Sequence, residues 1–145
     1  MAQLLFAKKQ INVKIVYYGP ALSGKTTCLE YVEAHAPGKT GDQRTAELDG
    51  ECALILDYFP DWAAPIKERT VCLQLFTVPS AVFTDTFPHR LALQGADALI
   101  YVADSDPARA EHNLDVWRRL GEGLKAEGES LAELPVIFQW NRRDV

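Results

Sequence analysis

The sequence predicts an α/β fold in which a mostly parallel β-sheet is covered by helices on both faces. Runs of continuous apolar residues alternate with helical segments, which is the pattern of strands that are buried on both sides. The chain has 145 residues, of which 48% are hydrophobic and 24% are charged, as in an ordinary soluble domain. We therefore expect a single domain, residues 1–145, with one core.

The first strand and the first helix are predicted on either side of a short loop. Residues 11–18 read INVKIVYY, a mostly β-branched and aromatic run that suits a buried strand. A glycine-bracketed loop follows, and residues 26–36 then place apolar side chains at helical spacing before Pro37 and Gly38 end the helix. Residues 38–50 are polar and show no sustained period, so we predict a mobile connection there.

The middle of the chain predicts three strands and one short helix. Two strand-like runs, residues 52–59 (CALILDYF) and 70–78 (TVCLQLFTV), could pair as neighbours in the sheet. Residues 87–95 form a possible short helix. Residues 98–103 (ALIYVA) form another continuous apolar strand, which ends at Asp104.

A long helix and a final strand complete the predicted fold. Residues 107–125 show helical periodicity, and residues 135–140 (PVIFQW) predict one more buried strand. Ligands of such sheets bind beyond the carboxyl ends of the strands, where residues 19–26, 77–81 and 141–144 should meet near Asp104. The predicted apolar face of the helix consists of Ala110, Leu114, either Val116 or Trp117, Leu120 and Leu124.

The loop at residues 19–26 reads GPALSGKT and fits the phosphate-binding P-loop pattern. Its glycines let backbone N–H groups approach phosphate oxygens, and the helix that follows adds its positive amino-terminal end. Lys25 would reach the β- and γ-phosphates, and the Thr26 hydroxyl would ligate Mg²⁺. The nucleotide-binding residues predicted here are Gly19, Ala21, Leu22, Ser23, Gly24, Lys25, Thr26 and Thr27, with Thr26 as the metal ligand.

A second motif, Asn141-Arg142-Arg143-Asp144, follows the last predicted strand and fits the guanine-reading pattern N-K-x-D. In this pattern the aspartate accepts two hydrogen bonds from the guanine edge, and the asparagine braces the neighbouring loop. Arg142 stands where lysine is usual and keeps the charge and the long apolar stem, although the two side chains differ in donor geometry. Asn141, Arg142 and Asp144 are therefore the predicted base-binding residues.

Composition also excludes several classes of function. The formal net charge of -5 leaves no basic stripe of the kind that binds nucleic acid. The three cysteines are odd in number and lack metal-type spacing, which predicts reduced thiols. The apolar run within residues 1–10 is too short for a signal peptide or a transmembrane segment, so we expect a cytoplasmic protein.

The segments IVYYGPALSGKTT, LDYFP, LFTVPSAVF, IYVADS and NRRD, in this order, resemble the bacterial gliding-motility small GTPases of the MglA type. The most specific marks are YYGP before the loop and the TVP segment, where Thr77 holds the place of the aspartate of most Ras-like proteins. The resemblance implies a three-layer P-loop NTPase fold of the Ras type. It also implies binding of GTP or GDP with Mg²⁺, and a roadblock-domain protein as activating partner.

The resemblance breaks at residues that the family uses for catalysis. After Thr77 and Pro79 the family has glycine and glutamine, which contact the γ-phosphate and position the attacking water, but this chain has Ser80 and Ala81. Ala21 replaces a glycine of the P-loop. Because water positioning and an arginine contribute several orders of magnitude to hydrolysis, we expect GTP hydrolysis to be very slow or absent.

The first switch also departs from the family. An arginine and a threonine shortly before Asp57 are expected, and the matching positions are Cys52 and Ala53. An alternative alignment keeps Thr45 as the switch threonine. The chain ends at Val145, directly after the base-reading motif, so the last strand and the last helix of the implied fold are not expected.

Three functions are compatible with these residues. The first is a guanine-nucleotide binding module or switch with weak or absent hydrolysis. The second is an active GTPase whose missing groups are supplied by the roadblock partner. The third is a structural subunit that uses the P-loop only as a scaffold. The predicted switch residues are Asp57, Thr77, Pro79, Ser80 and Ala81.

Overall fold

The computed structural model describes residues 2–5, 9–20, 22–48, 51–77, 93–126 and 128–141. These residues form an eight-stranded mixed sheet, two α-helices and two 3₁₀ turns, Pro107–Arg109 and Leu131–Glu133. The strands are β1 (Gln3–Leu5), β2 (Gln10–Tyr18), β3 (Gly38–Thr40), β4 (Arg44–Leu48), β5 (Glu51–Pro60), β6 (Thr70–Thr77), β7 (Ala98–Asp104) and β8 (Val136–Asn141). The helices are α1 (Lys25–His35) and α2 (Ala110–Ala126).

The centre of the sheet is parallel, as predicted. Strands β6, β2, β7 and β8 lie side by side in this order and run in one direction. The predicted pairing of the two middle runs is also confirmed, because β5 lies next to β6 and runs antiparallel to it. The short strand β1, which the sequence did not indicate, adds an antiparallel pairing to the start of β2.

Alternate residues of the central strands face two separate hydrophobic clusters, so the sheet divides the one core that was expected, and the three-layer arrangement is confirmed. Val16 and Tyr101 pack in one cluster with Leu120 of α2. Their neighbours Tyr17 and Val102 point the other way and pack in a second cluster with Leu29 of α1. Because successive side chains of a strand point to opposite faces, the two helices must cover opposite sides of the sheet.

The predicted apolar face of the second helix is wrong at Leu114, whose side chain is 61% exposed. The buried side of α2 instead runs through Asn113, Val116, Leu120 and Leu124. A polar residue thus occupies a core position, and Leu114, one residue further along, is rotated about 100° away from it. Ala110, also assigned to the apolar face, is exposed at the first turn of the helix.

The connection predicted at residues 38–50 is wrong, because most of it belongs to the sheet. Strand β3 pairs with the end of β5, from Gly38 opposite Pro60, and β4 pairs with the beginning of β5. These strands lie at the sheet edge and carry polar residues, so they lack the apolar period on which the prediction relied. In the sequence, the dipeptide Asp49-Gly50 between β4 and β5 is a hairpin signal.

The final strand is confirmed, but it is not buried. The exposed fractions of Ile137, Phe138 and Trp140 are 64%, 53% and 53%. Among the residues that the structure describes, β8 pairs with β7 alone and therefore forms an edge of the sheet. An edge strand can read as apolar as a central one, since the sequence does not show how many neighbours a strand has.

The predicted strands at residues 11–18 and 98–103 and the long helix agree with the structure, and the short helix at residues 87–95 stays a prediction. Of the possible short helix at residues 87–95, only residues 93–95 belong to the described part. Strand β6 ends at Thr77, and Val78 lies outside the described residues. No helix in the described ranges combines the length and the apolar character needed to span a membrane.

Candidate functional site

The loop between β2 and α1 adopts a shape that requires glycine at two positions. At Gly19, an added Cβ atom would lie 2.1 Å from the carbonyl oxygen of Val102. Gly24 has φ +94° and directly precedes α1. L side chains rarely adopt the Gly24 conformation, and no carbon atom can approach a carbonyl oxygen as closely as a Cβ at Gly19 would. Both glycines are therefore needed for the loop to form. Ala21 lies outside the described residues.

Lys25 is buried beneath this loop. Its Nζ atom donates hydrogen bonds to the carbonyl oxygens of Gly19, at 3.0 Å, and Pro20, at 2.8 Å. Burial lowers the pKa of the Lys25 ammonium to about 8. The charge therefore stands in a poorly solvated position, where an anionic ligand would stabilise it.

The beginning of α1 is suited to bind an anion. No acidic side chain lies in its first turn, so the positive end of the helix is not neutralised there. Thr26 and Thr27 are exposed in that turn. The predicted residues Leu22 and Ser23 lie before it, Leu22 exposed and Ser23 buried. The loop, the ammonium of Lys25 and the helix end thus lie together, as the predicted phosphate-binding loop requires, and anion binding there stays a prediction.

Asn141, the last residue of β8, connects the second motif to the loop. Its Nδ2 atom donates to the carbonyl oxygen of Ser23 at 3.1 Å. This contact is the predicted bracing of the loop by the motif asparagine. A Cβ atom on Gly24 would lie only 2.8 Å from Asn141 Nδ2, so glycine at this position also makes room for the contact.

The carboxyl ends of the parallel strands gather at this edge. Asp104 of β7 lies opposite Asn141, and the N–H of Ser105 donates to the Asn141 carbonyl oxygen at 2.8 Å. Thr77, at the end of β6, is buried and lies opposite Tyr17 of β2. The structure thus brings together the parts of the four predicted segments that it describes.

A polar residue of α2 ties the helix to this edge. Asn113 Nδ2 donates to the Asp104 carbonyl oxygen at 2.8 Å, and Asn113 Oδ1 accepts from the Asp104 N–H at 3.1 Å. The N–H of Asp106 donates to Asp104 Oδ1 at 3.0 Å. These bonds give Asn113 a structural reason to occupy a core position of the helix.

Asp57, predicted as a switch residue, lies within β5, and side chains of the two neighbouring strands form hydrogen bonds to its carboxylate. Its carboxylate accepts from Arg44 of β4 at 2.7 Å and from Gln74 of β6 at 3.4 Å. Thr45, the alternative switch threonine, is exposed on β4 opposite Leu54. The part that Asp57 and Thr45 play in nucleotide binding stays a prediction.

Two functional candidates were missed from the sequence. Cys28 on α1 and Gln139 on β8 contact the Asn141 side chain, and the three line a cavity of about 270 Å³. The alternation of β8, which puts Gln139 and Asn141 on one face, could have indicated the first of these contacts. Predicted site residues outside the described part of the chain are Ala21, Pro79, Ser80, Ala81, Arg142 and Asp144.

Comparison with known proteins places this site in context. No protein-family model matches the chain. The mutual gliding-motility protein MglA of Myxococcus xanthus (strain DK1622) is 34% identical over 146 residues, which cover 100% of this chain and 74% of the relative. That identity over that coverage is sufficient to assign a family.

Two solved structures also resemble the chain, although the TM-scores are low. The GTP-bound crystal structure of T. brucei IFT22 matches 74% of this chain and 52% of its own, with 22% identity and a TM-score of 0.42. NFeoB from S. thermophilus bound to GDP.AlF4- and K+ matches 88% of this chain and 55% of its own, with 16% identity and a TM-score of 0.44. The chain thus spans about half the length of these two structures.

Proposed function

The chain belongs to the MglA family of gliding-motility, Ras-like small GTPases, and on this premise we propose that it binds a guanine nucleotide. The hydrogen bond from Asn141 to the Ser23 carbonyl is the observation that carries the proposal. It joins the strand that leads into the base-reading motif to the loop that would hold the phosphates. One ligand that has both a base and phosphates would use both parts.

The phosphates are assigned to the loop and to the beginning of α1. The glycine-shaped backbone offers N–H donors, and Lys25 supplies the one cation that the motif requires. In the structure the Lys25 ammonium is satisfied by loop carbonyl groups, so it must exchange at least part of these bonds for phosphate oxygens when a nucleotide binds. The base is assigned to Asn141, Arg142 and Asp144.

Magnesium fits the residues present at the loop. Thr26 is exposed at the beginning of α1 and carries a hydroxyl group, and oxygen atoms are the ligands that Mg²⁺ prefers. Thr26 would hold the ion together with phosphate oxygens. When bound, the ion would neutralise phosphate charge.

We propose that this chain hydrolyses GTP very slowly or not at all. Ser80 and Ala81 supply neither the glycine N–H nor the amide that positions water in the family, and Ala21 adds a methyl group to the loop. The protein would then act as a nucleotide-dependent binding module. The family relationship supports a roadblock-domain protein as its partner and the cytoplasm as its location.

Single-turnover hydrolysis of radiolabelled GTP, with and without a roadblock-domain protein, tests the catalytic part. We expect no phosphate release above the rate without protein, in either condition. Release at an ordinary small-GTPase rate by the protein alone would contradict the assignment. Release only with the partner would favour an active GTPase that is completed in trans.

Competition experiments test the base. Asp144 offers acceptors that match the donor pair of guanine, and adenine has no such pair. Unlabelled GDP should therefore displace a fluorescent GDP analogue, while ADP should compete poorly. Equal competition by ADP would remove the guanine assignment and leave only a phosphate site.

A further inference from the structure

The Asn141 side chain belongs to a group of three side chains whose hydrogen bonds depend on each other. Gln139 Nε2 donates to Asn141 Oδ1 at 3.0 Å and to Cys28 Sγ at 3.1 Å. Asn141 Nδ2 donates to the Ser23 carbonyl oxygen at 3.1 Å and to Cys28 Sγ at 3.4 Å. Each amide nitrogen carries two hydrogens, so all four N–H donors of the two amides have an acceptor.

Only one orientation of the Asn141 amide satisfies this group. If the amide turned by 180°, Oδ1 would face the Ser23 carbonyl oxygen, and two acceptors would be in contact. At the other end, Nδ2 would face the Nε2 donor of Gln139. Both contacts are repulsive, so the Ser23 carbonyl, which can only accept, and the Gln139 donor together favour the orientation in which Asn141 Nδ2 points to the loop.

We infer that Gln139 is a positioning residue for nucleotide binding, which acts with Cys28 to hold Asn141 Nδ2 toward the Ser23 carbonyl. Gln139 need not contact the ligand. Its action passes through Asn141 to Ser23 and so to the loop that holds the phosphates. The inference rests on the proposed function, because the loop is taken to be the nucleotide site.

The position of the three residues supports this role. Gln139 and Asn141 lie on the same face of β8, next to α1, which carries Cys28. The cavity beside them is lined by Tyr17, Tyr31 and Val32 in addition to the three polar residues and Thr27. Because this open space lies alongside the amides, a freed Asn141 side chain would have room to turn away from the loop.

The first experiment compares the NMR signals of the Asn141 side-chain amide between wild type and Gln139→Leu, both without nucleotide. In ¹⁵N-correlated spectra of wild type, the Asn141 side-chain NH₂ pair should be dispersed and slow to exchange. Gln139→Leu removes the donor at similar size, and we expect the Asn141 NH₂ signals and the Ser23 and Gly24 backbone N–H signals to move. Gln139→Met serves as the second variant if Gln139→Leu does not fold.

The second experiment measures affinity for a fluorescent GDP analogue with Mg²⁺. Gln139→Leu should bind about 5- to 50-fold more weakly, the range expected when a partly buried amide loses its hydrogen-bonded orientation. Cys28→Ser keeps an acceptor and should stay within about twofold of wild type, whereas Cys28→Ala should weaken binding. Gln43→Leu is the matched control, since Gln43 is an exposed glutamine that bonds Glu33.

The outcomes separate the inference from the proposed function. Unchanged Asn141 signals and unchanged affinity in Gln139→Leu would overturn the inference. A wild-type protein that binds no GDP analogue would contradict the proposed function, and the spectra would still decide whether Gln139 orients Asn141. An equal loss of affinity in Gln43→Leu would show a general effect on folding and would also overturn the inference.

Discussion

Asn141 Nδ2 lies 3.1 Å from the carbonyl oxygen of Ser23, although 118 residues separate the two in the sequence. The contact joins the edge strand of the sheet to the loop that opens the first helix. Neighbouring bonds support it, since the Ser105 N–H also donates to the Asn141 carbonyl at 2.8 Å. The hydrogen bonds therefore couple the loop to the end of β8, and a substitution in one should alter the conformation of the other.

Removal of this contact should weaken nucleotide binding. In Asn141→Ala the Ser23 carbonyl loses a partly buried donor, which costs about 1–3 kcal/mol. We expect roughly 5- to 100-fold weaker binding of a fluorescent GDP analogue. Asn141→Asp should be at least as damaging, because a carboxylate oxygen would face the Ser23 carbonyl. An Asn141→Asp protein with wild-type affinity would contradict the bracing role.

The two faces of α2 should respond differently to truncation. Leu120 is fully buried, so Leu120→Ala should lower the free energy of unfolding by about 2–5 kcal/mol. Leu114 is exposed, and Leu114→Ala should change it by less than about 0.5 kcal/mol. Urea denaturation of the two variants measures both values. Equal losses would mean that the helix presents a different face to the sheet.

Gly19 should tolerate no side chain. A Cβ atom there would lie 2.1 Å from the Val102 carbonyl oxygen, so Gly19→Ala must displace the strand or the loop and should cost at least about 3 kcal/mol. Gly128 is the matched control, because it also has a positive φ, +78°, with no atom within 4 Å of an added Cβ. Gly128→Ala should cost only about 1 kcal/mol, from backbone strain. Thermal unfolding that ranks the two variants equally would refute the steric argument.

Nucleotide binding should weaken as the pH rises above about 8. Burial lowers the pKa of Lys25 to about 8 in the unliganded protein, and the phosphates bind the protonated form. Above that pH, binding must therefore take up a proton, and the affinity should fall by up to tenfold per pH unit. Below it, Lys25 is already charged and contributes no pH dependence.

Calorimetric titration in buffers of different ionisation enthalpy, between about pH 7 and pH 9, measures this proton uptake. Lys39→Ala provides the control, because Lys39 is exposed on β3 and should leave the profile unchanged. An affinity that is constant up to pH 9, with no proton uptake, would show that Lys25 does not titrate in this range.

The central strands and both helices could be predicted because their signals are local. The run at residues 11–18, the turn at Gly19 and the helical spacing after Gly24 lie close together in the sequence, and each agrees with the others. Neighbour relations in the sheet are not local. For this reason β8 was expected to be buried, and the polar strands that pair along β5 were overlooked.

In the candidate site, too, residues in local sequence patterns could be predicted, and residues that meet only in the folded chain could not. The P-loop and the asparagine of the second motif are sequence patterns, so their residues could be named in advance. Cys28 and Gln139 belong to no motif, and they matter only because β8 and α1 come together in space. Asn113 was missed for a related reason, since its partner is the backbone of Asp104, which no side-chain pattern indicates.

Equilibrium titration of a fluorescent GDP analogue with Mg²⁺, into wild type and into Lys25→Ala, tests the central claim most directly. Lys25 lies under the loop, and its removal takes away the only charge that the motif directs at the phosphates. The account predicts saturable binding by wild type and a loss of at least about 100-fold in Lys25→Ala, the scale of a charged hydrogen-bonding group in a buried site. Absence of saturable binding by wild type, or equal binding by both proteins, would contradict it.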